Sequence, residues 1–337
     1  MRITTLRITQ WAQSREAQAE LPRLVRRLVR NTSTTAAVAM PSGESVGLPG
    51  WDGIVQSNSD SAWAPRGTSF WETSCEERVG SKATTDYNKR TAATSVDQRD
   101  HAAFVFVTAR RWPRKTQWLE RKRAQKEWAD VRAFDADDLE HWLEQCPAVA
   151  LAFAEELGIA GPGVETPRRS WEAWASHSTP TLTVDALFEA RETLRNKLIA
   201  EVRNAITNSR PPITLRGDSV AEAAAFACAA ILSEPSFRDA VVVTHSDGWR
   251  YVEKNAELTI AITATPEIAT RAPRRAGLAI VVPHALGDIA QSSASDSEPE
   301  FRLERPDRHA FEAALIKLGV EQHAVLRTLR DDGYQPL

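Results

Sequence analysis

The 337-residue sequence has only 3 cysteines, 2 methionines and 3 tyrosines. Cys75, Cys146 and Cys228 are odd in number and far apart, which excludes a disulfide framework and gives no zinc-ligand spacing. They are expected as buried thiols in a cytoplasmic protein. No apolar run approaches the roughly 18 residues of a membrane helix. The opening MRITTLRITQWAQ has no apolar segment behind its basic residues, so it is not a secretory signal. An excess of one charge is also missing: 42 Lys and Arg stand against 45 Asp and Glu, a net charge of −3. The seven histidines are scattered, with no pair at metal spacing. There is no Gly-x-Ser-x-Gly elbow and no Gly-x-x-x-x-Gly-Lys-Ser/Thr phosphate loop. What remains is a soluble globular chain long enough for two domains.

The residues that are present are unevenly spread. Eight of the 11 tryptophans precede residue 150, and five of the eight lysines lie between Lys82 and Lys126. Residues 13–30 read as an amphipathic helix, with Leu21, Leu24, Val25, Leu28 and Val29 on one stripe and arginines opposite. Pro22 implies a kink or a restart there. Strands are expected at 36–40, 51–57, 67–75, 104–110 and 131–134, with a turn over PSGESVGLPG. Helices are expected at 81–93, 115–128 and 135–146, the last with Asp135 as N-cap.

Two acids fall on neighbouring middle strands, Asp52 in GWDG and Glu72 in SFWETS. If these strands pair as a hairpin, the carboxylates approach and repel, and an oxygen-ligated divalent cation is the usual remedy. Such a cation activates water and stabilises charge on a phosphate. A bland reading stands beside this one, with Asp52 opening a turn and Glu72 exposed. The helix–strand–hairpin order with these acids resembles the PD-(D/E)XK restriction-endonuclease-like superfamily over about residues 13–145. The resemblance implies that Asp52 and Glu72 hold Mg²⁺ or Mn²⁺ and that a lysine orients the attacking water. The usual lysine position, two residues after Glu72, holds Ser74. Lys82, opening the next helix, is the candidate in its place. The run Lys82–Asp86–Tyr87–Lys89–Arg90 resembles the polar helix that follows the active strand in some of these nucleases. Glu16 and Tyr87 are outer-shell candidates.

Between Arg110 and Lys126 there are eight basic residues and one acid, Glu120. This density suits nucleic-acid phosphates, with Arg110, Arg111, Lys115 and Lys122 as contacts and Trp112 and Trp118 available to pack beneath or to stack on bases. The competing reading is a solvated helical face balanced by the acidic run from Glu127 to Asp138.

Beyond the Gly- and Pro-rich stretch 158–170, strands at 211–217, 240–246, 258–263 and 277–283 alternate with helices, including 183–208 and 220–232, as in a parallel α/β sheet. ITLRGDSVAEAAAFACAAIL resembles the core of STAND-type signalling ATPases with its phosphate-loop lysine lost. His245 and His284 follow buried strands. The expected fold is therefore α/β throughout: a restriction-endonuclease-like αβββαβ core (1–157), a linker (158–182), a second α/β domain resembling a degenerate P-loop NTPase (183–290), and a linker with C-terminal helices (291–337). The expected function is a Mg²⁺-dependent DNA endonuclease, a homo-oligomer by resemblance, serving bacterial antiphage defence and independent of membranes. The alternative is an inactive nuclease fold that binds nucleic acid or regulates a partner. A nucleotide-sensing switch is disfavoured by the missing lysine. The short ending after Arg330 suggests a chain that continues.

Overall fold

The structure is a computed structural model. It describes residues 2–33, 35–41, 50–159, 161, 163–287, 301–321 and 324–325. The expected turn at 41–50 and linker at 291–300 lie largely or wholly outside these residues. The chain forms mixed α/β structure in two compact units, Met1–Ile159 and Ala160–Leu337.

The first unit opens with helices α1 (Thr5–Trp11) and α2 (Arg15–Thr32). Ser14 caps α2, accepting from the Ala17 amide, and the apolar stripe from Leu21 to Val29 is buried. Pro22 neither kinks nor restarts the chain enough to divide α2. Its missing N–H removes one bond to the Gln18 carbonyl, and burial of the ring offsets that loss. Strands β1 (Thr35–Ala39), β2 (Gly53–Ser57) and β3 (Gly67–Ser74) form an antiparallel meander. Helices α3 (Val79–Ala93) and α4 (Val96–Asp100) cross over to β4 (Ala102–Thr108), parallel to β3. Helix α5 (Lys115–Ala124) leads to β5 (Asp130–Phe134), parallel to β4, and α6 (Ala136–Glu144) and α7 (Pro147–Glu156) close the unit. The sheet order is β1-β2-β3-β4-β5.

The two-residue period of β3 sorts its side chains between two cores. Trp71 enters the core built on α2, α6 and α7, with Leu28, Val107 and Trp142. Phe70 enters the core on the other face, with Tyr87 of α3, Trp118 of α5 and Trp128. Glu72 and Ser74, in step with Phe70, belong to the α3 face. This two-faced burial is why β4 (AAFVFVT) reads as a continuous apolar run, buried at every position.

The second unit contains β6 (Val164–Glu165), α8 (Pro167–Ala175), α9 (Val184–Leu187), α10 (Glu192–Asn208), β7 (Ile213–Gly217) and α11 (Val220–Ser233). It continues with β8 (Ala240–Val243), α12 (Trp249–Lys254), β9 (Ile260–Thr263), α13 (Pro266–Ala269), β10 (Ala279–Ala285), β11 (Phe301–Arg302) and α14 (Arg308–Lys317). The sheet order is β11-β7-β10-β9-β8-β6, parallel except for β6. The stretch expected as a linker thus carries an edge strand and a helix. Trp171 and Ala175 of α8 are buried in the same core as Ala227 and Phe226 of α11. The single helix expected over 183–208 is two, separated by Ala190 in a left-handed conformation (φ 57). Of the expected C-terminal helices, the described part is α14; residues 326–330 lie outside.

Backbone packs directly on backbone at the entry to β6. Gly163 (φ +70) faces Gly248, and a Cβ on Gly248 would overlap the Gly163 carbonyl oxygen. Gly248→Ala is therefore expected to cost about 2 kcal/mol through overpacking, read as a lower urea midpoint at unchanged slope. An unchanged midpoint would show that the Gly163 turn yields freely.

Candidate functional site

Asp52 immediately precedes β2. The antiparallel register pairs Gly53 with Trp71, so Asp52 stands opposite Glu72, with the side chains on one face. Gly53 is required there, because a Cβ would meet the Met40 side chain at 2.6 Å and Trp71 Cβ at 3.2 Å. Asp52 Oδ2 accepts from the Thr73 amide (2.8 Å) and from the Thr73 hydroxyl (3.0 Å). Glu72 is only 6% exposed. Burial, and then the Asp52 charge, push its carboxyl up to about 7 against the pull of Arg90.

Helix α3 lies over this pair and presents Lys82, Asp86 and Arg90 at four-residue spacing, one stripe of a helix. Lys82 Nζ lies 3.2 Å from Asp86 Oδ1 and 3.6 Å from Glu76. Burial lowers the Lys82 pKa, but Asp86 and Glu76 outweigh it and hold the ammonium above its ordinary value. Asp86 is 6% exposed. Burial raises its pKa, the Asp52 charge adds to this, and Lys82 and Arg90 oppose it. Its Oδ2 is buried without a hydrogen-bond partner. Arg90 Nε donates to Glu72 Oε1 at 2.5 Å. Asp52, Glu72 and Asp86 therefore lie within one another's electrostatic reach, with Lys82 and Arg90 as counter-charges.

The sequence run from Lys82 to Arg90 contains Asp86 and Arg90, but their roles follow only from the fold. The signal was the spacing 82, 86, 90, which places a lysine, an acid and an arginine on one helical face.

Opposed carboxylates, one raised by burial and then by the charge of the other, with an orphaned carboxylate oxygen beside them, are a donor set of the type that suits a hard divalent cation. Among the described residues, no three acidic, His or Cys side chains are grouped to hold a metal. A cation there would be held by two carboxylates, with water completing its shell, the manner in which Mg²⁺ is commonly bound.

Other expected site residues serve elsewhere. Tyr87 is fully buried, edge-on to Phe104 and Trp118, and is not an outer-shell ligand. Glu16 is fully exposed in the first turn of α2, where its own backbone amide and the Ser14 hydroxyl bind its carboxylate; it acts as a cap. Lys122 is also buried. Its Nζ donates to Asn88 at 3.1 Å and sits 4.1 Å over the Tyr87 ring, so packing rather than a phosphate claims it. Arg110 donates to the carbonyls of Cys75 (2.9 Å) and Ala12 (3.0 Å), tying the end of β3 to the end of α1. Lys115 is paired with Asp135 (2.7 Å) and with Asp138. Arg111 alone of the four expected contacts is largely exposed, 3.3 Å from Asp137. Trp112 and Trp118 are buried, which removes them as stacking platforms for bases. Much of the basic density thus neutralises the acidic run that follows it.

In the second unit, β7 passes through Gly217, Asp218 and Ser219 directly into α11. Ser219 caps α11, and Glu222 Oε2 accepts from the Asp218 amide at 3.0 Å. Arg191 pairs with Glu222 (3.1 Å) and Arg305 with Asp218 (2.6 Å). Side-chain carboxylates thus occupy the helix start where a phosphate-binding loop would present its amides. His245 is exposed and accepts from the Asp247 amide (3.2 Å), closing a local turn. Among the described residues, no helix is long and apolar enough to cross a membrane.

No protein-family model, curated protein or solved structure matches this chain.

Proposed function

We propose that the first unit is a restriction-endonuclease-like nuclease domain that hydrolyses phosphodiester bonds of DNA with Mg²⁺ or Mn²⁺. The observation that carries this reading is the pairing of Asp52 and Glu72 on β2 and β3 beneath the Lys82–Asp86–Arg90 stripe of α3. The mixed sheet, antiparallel from β1 to β3 and parallel from β3 to β5, supports it. Asp52 and Glu72 would hold the cation, which when bound supplies an acidified water and charge stabilisation at phosphate. Asp86 anchors Lys82 through the 3.2 Å contact, on the same stripe of α3 as Arg90. From there, Lys82 orients a water or the scissile phosphate, replacing the lysine that Ser74 lacks. Ser74 itself takes a local role, accepting from the Glu76 amide at 3.1 Å. A defence effector role follows from the joining of this unit to a nucleotide-fold-like second unit. The carboxylates at the α11 start argue against nucleotide hydrolysis there.

Plasmid cleavage with Mg²⁺ or Mn²⁺ tests the reading. Asp52→Ala and Glu72→Ala are each expected to lose about a hundredfold or more in rate, the scale for removal of one electrostatic element of a site, with the fold retained. Equal cleavage by all three proteins would reject the acid pair as the active site.

A second reading is favoured by Ser74 and by the guanidinium seated on Glu72: an inactive nuclease fold retained for binding. It requires nucleic-acid affinity that survives Asp52→Ala and falls steeply with salt.

A further inference from the structure

The Arg90 side chain has three attachments, more than a surface salt bridge requires. Its Nε donates to Glu72 Oε1 at 2.5 Å, and its Nη2 donates to the Gly50 carbonyl. Its guanidinium lies 4.7 Å over the Trp51 ring. Trp51 is itself fixed, stacked on Phe70 at 4.8 Å and edge-on to Trp128 at 5.9 Å. The Arg90 side chain is only 15% exposed. Its field also acts on Asp86, one helical turn back. A planar guanidinium keeps its charge at any physiological pH. It is therefore a permanent cation set among Asp52, Glu72 and Asp86, where a divalent ion would otherwise supply the neutralising charge.

We propose that Arg90 is a built-in counter-ion that competes with the divalent cation for Glu72 and keeps the site latched until the cation displaces it. This rests on the reading of Asp52 and Glu72 as metal ligands. The latch gives each carboxylate a partner within the protein: one Glu72 oxygen is satisfied by Arg90, and one Asp52 oxygen by Thr73. It also links the site to the chain entering β2, because the same guanidinium grips Gly50 and Trp51. Displacement from Glu72 leaves the guanidinium held by Gly50 and Trp51, where it can meet a phosphate. Arg90 is here a positioning residue that acts through Glu72.

The test is Mn²⁺ binding to the full chain by calorimetry, comparing wild type, Arg90→Met, and Arg90→Met combined with Asp52→Ala. Methionine keeps an unbranched stem against Trp51 and removes the charge. Arg90→Met is expected to bind Mn²⁺ about tenfold more tightly, equivalent to about 1.4 kcal/mol of relieved competition; the double variant is expected not to bind. Measurable wild-type binding with Arg90→Met equal or weaker would overturn the latch and leave the metal reading standing. No binding in wild type and Arg90→Met, or undiminished binding in the double variant, would overturn the metal reading and the latch with it. Binding gained only in Arg90→Met would support both. A measurement on the unaltered chain guards against a misfolded variant: Mg²⁺ titration should move the Arg90 Nε–H resonance as the Glu72 contact opens. Mg²⁺ binding that leaves this resonance fixed would overturn the latch.

Discussion

Asp135→Ala is expected to destabilise the first unit by about 3–5 kcal/mol, the cost of removing one partner of a buried ion pair. Asp135 is 4% exposed. One oxygen accepts from Lys115 Nζ at 2.7 Å and from the Asp138 amide at 3.4 Å, and the other accepts from the Trp112 amide at 3.0 Å. Asp138 returns the favour to the Asp135 amide at 2.7 Å, completing a capping box at the start of α6. Alanine would strand the buried Trp112 amide and leave Lys115 with Asp138 alone. Asp135→Asn keeps an acceptor for the cap and loses the charge, so it should cost less. Urea unfolding measures both. A loss below about 1 kcal/mol for alanine, the scale of a surface pair, would mean that this junction is wet and replaceable.

Glu72→Gln should gain stability relative to wild type as pH rises. The Glu72 carboxyl is raised from 4.5 to about 7 in the fold. Between those values the unfolded chain is ionised while the folded chain keeps its proton. The native state therefore binds more protons, and the Glu72 contribution to stability falls as pH rises through this window. Below about pH 4.5 both states are protonated and the term vanishes; above about pH 7 the penalty is complete. A shift of this size is worth about 3 kcal/mol. Glutamine removes the titration. The difference in unfolding free energy between variant and wild type should thus move by about 3 kcal/mol in favour of glutamine from pH 4.5 to pH 8. It does so whatever the constant cost of the lost Arg90 contact. A pH-independent difference would show that Arg90 holds Glu72 ionised throughout.

The elements of the first unit were largely legible because each carries a local signal. The β-branched and aromatic run of β4 and the stripe of α2 state their burial directly, whereas β3 is buried at consecutive positions on both faces. Placement of Asp52 opposite Glu72 was legible as a conditional, since only the pairing of β2 with β3 makes two acids 20 residues apart neighbours. The basic segment was not legible. Lys115 meets Asp135 and Asp138 because β5 brings α6 back beside α5, and Lys122 meets the Tyr87 ring because α3 and α5 share a face. No local pattern encodes such tertiary partners, so a run of cations looks free until the acids that fold onto it are known. Helix α8 was hidden differently. Its Thr166 N-cap and Pro167 at the first turn are a proper helix start, but the surrounding Gly and Pro residues drew attention to the break rather than the beginning.

The uneven tryptophan distribution also has an optical consequence. Trp63 and Trp142 lie face to face, with ring centroids 4.8 Å apart and planes 5° from parallel. Transition dipoles held that close mix into exciton states, and paired circular-dichroism bands of opposite sign follow when the two dipoles are not parallel within their planes. The coupling requires the segment after β2 to be docked on α6, so this pair's contribution to the couplet disappears once that contact opens, even if helix content survives. Trp171 and Trp174 of the second unit are also close, at 5.7 Å, so the signal lost on Trp63→Phe isolates the first unit's pair, and its melting can then be followed without labels.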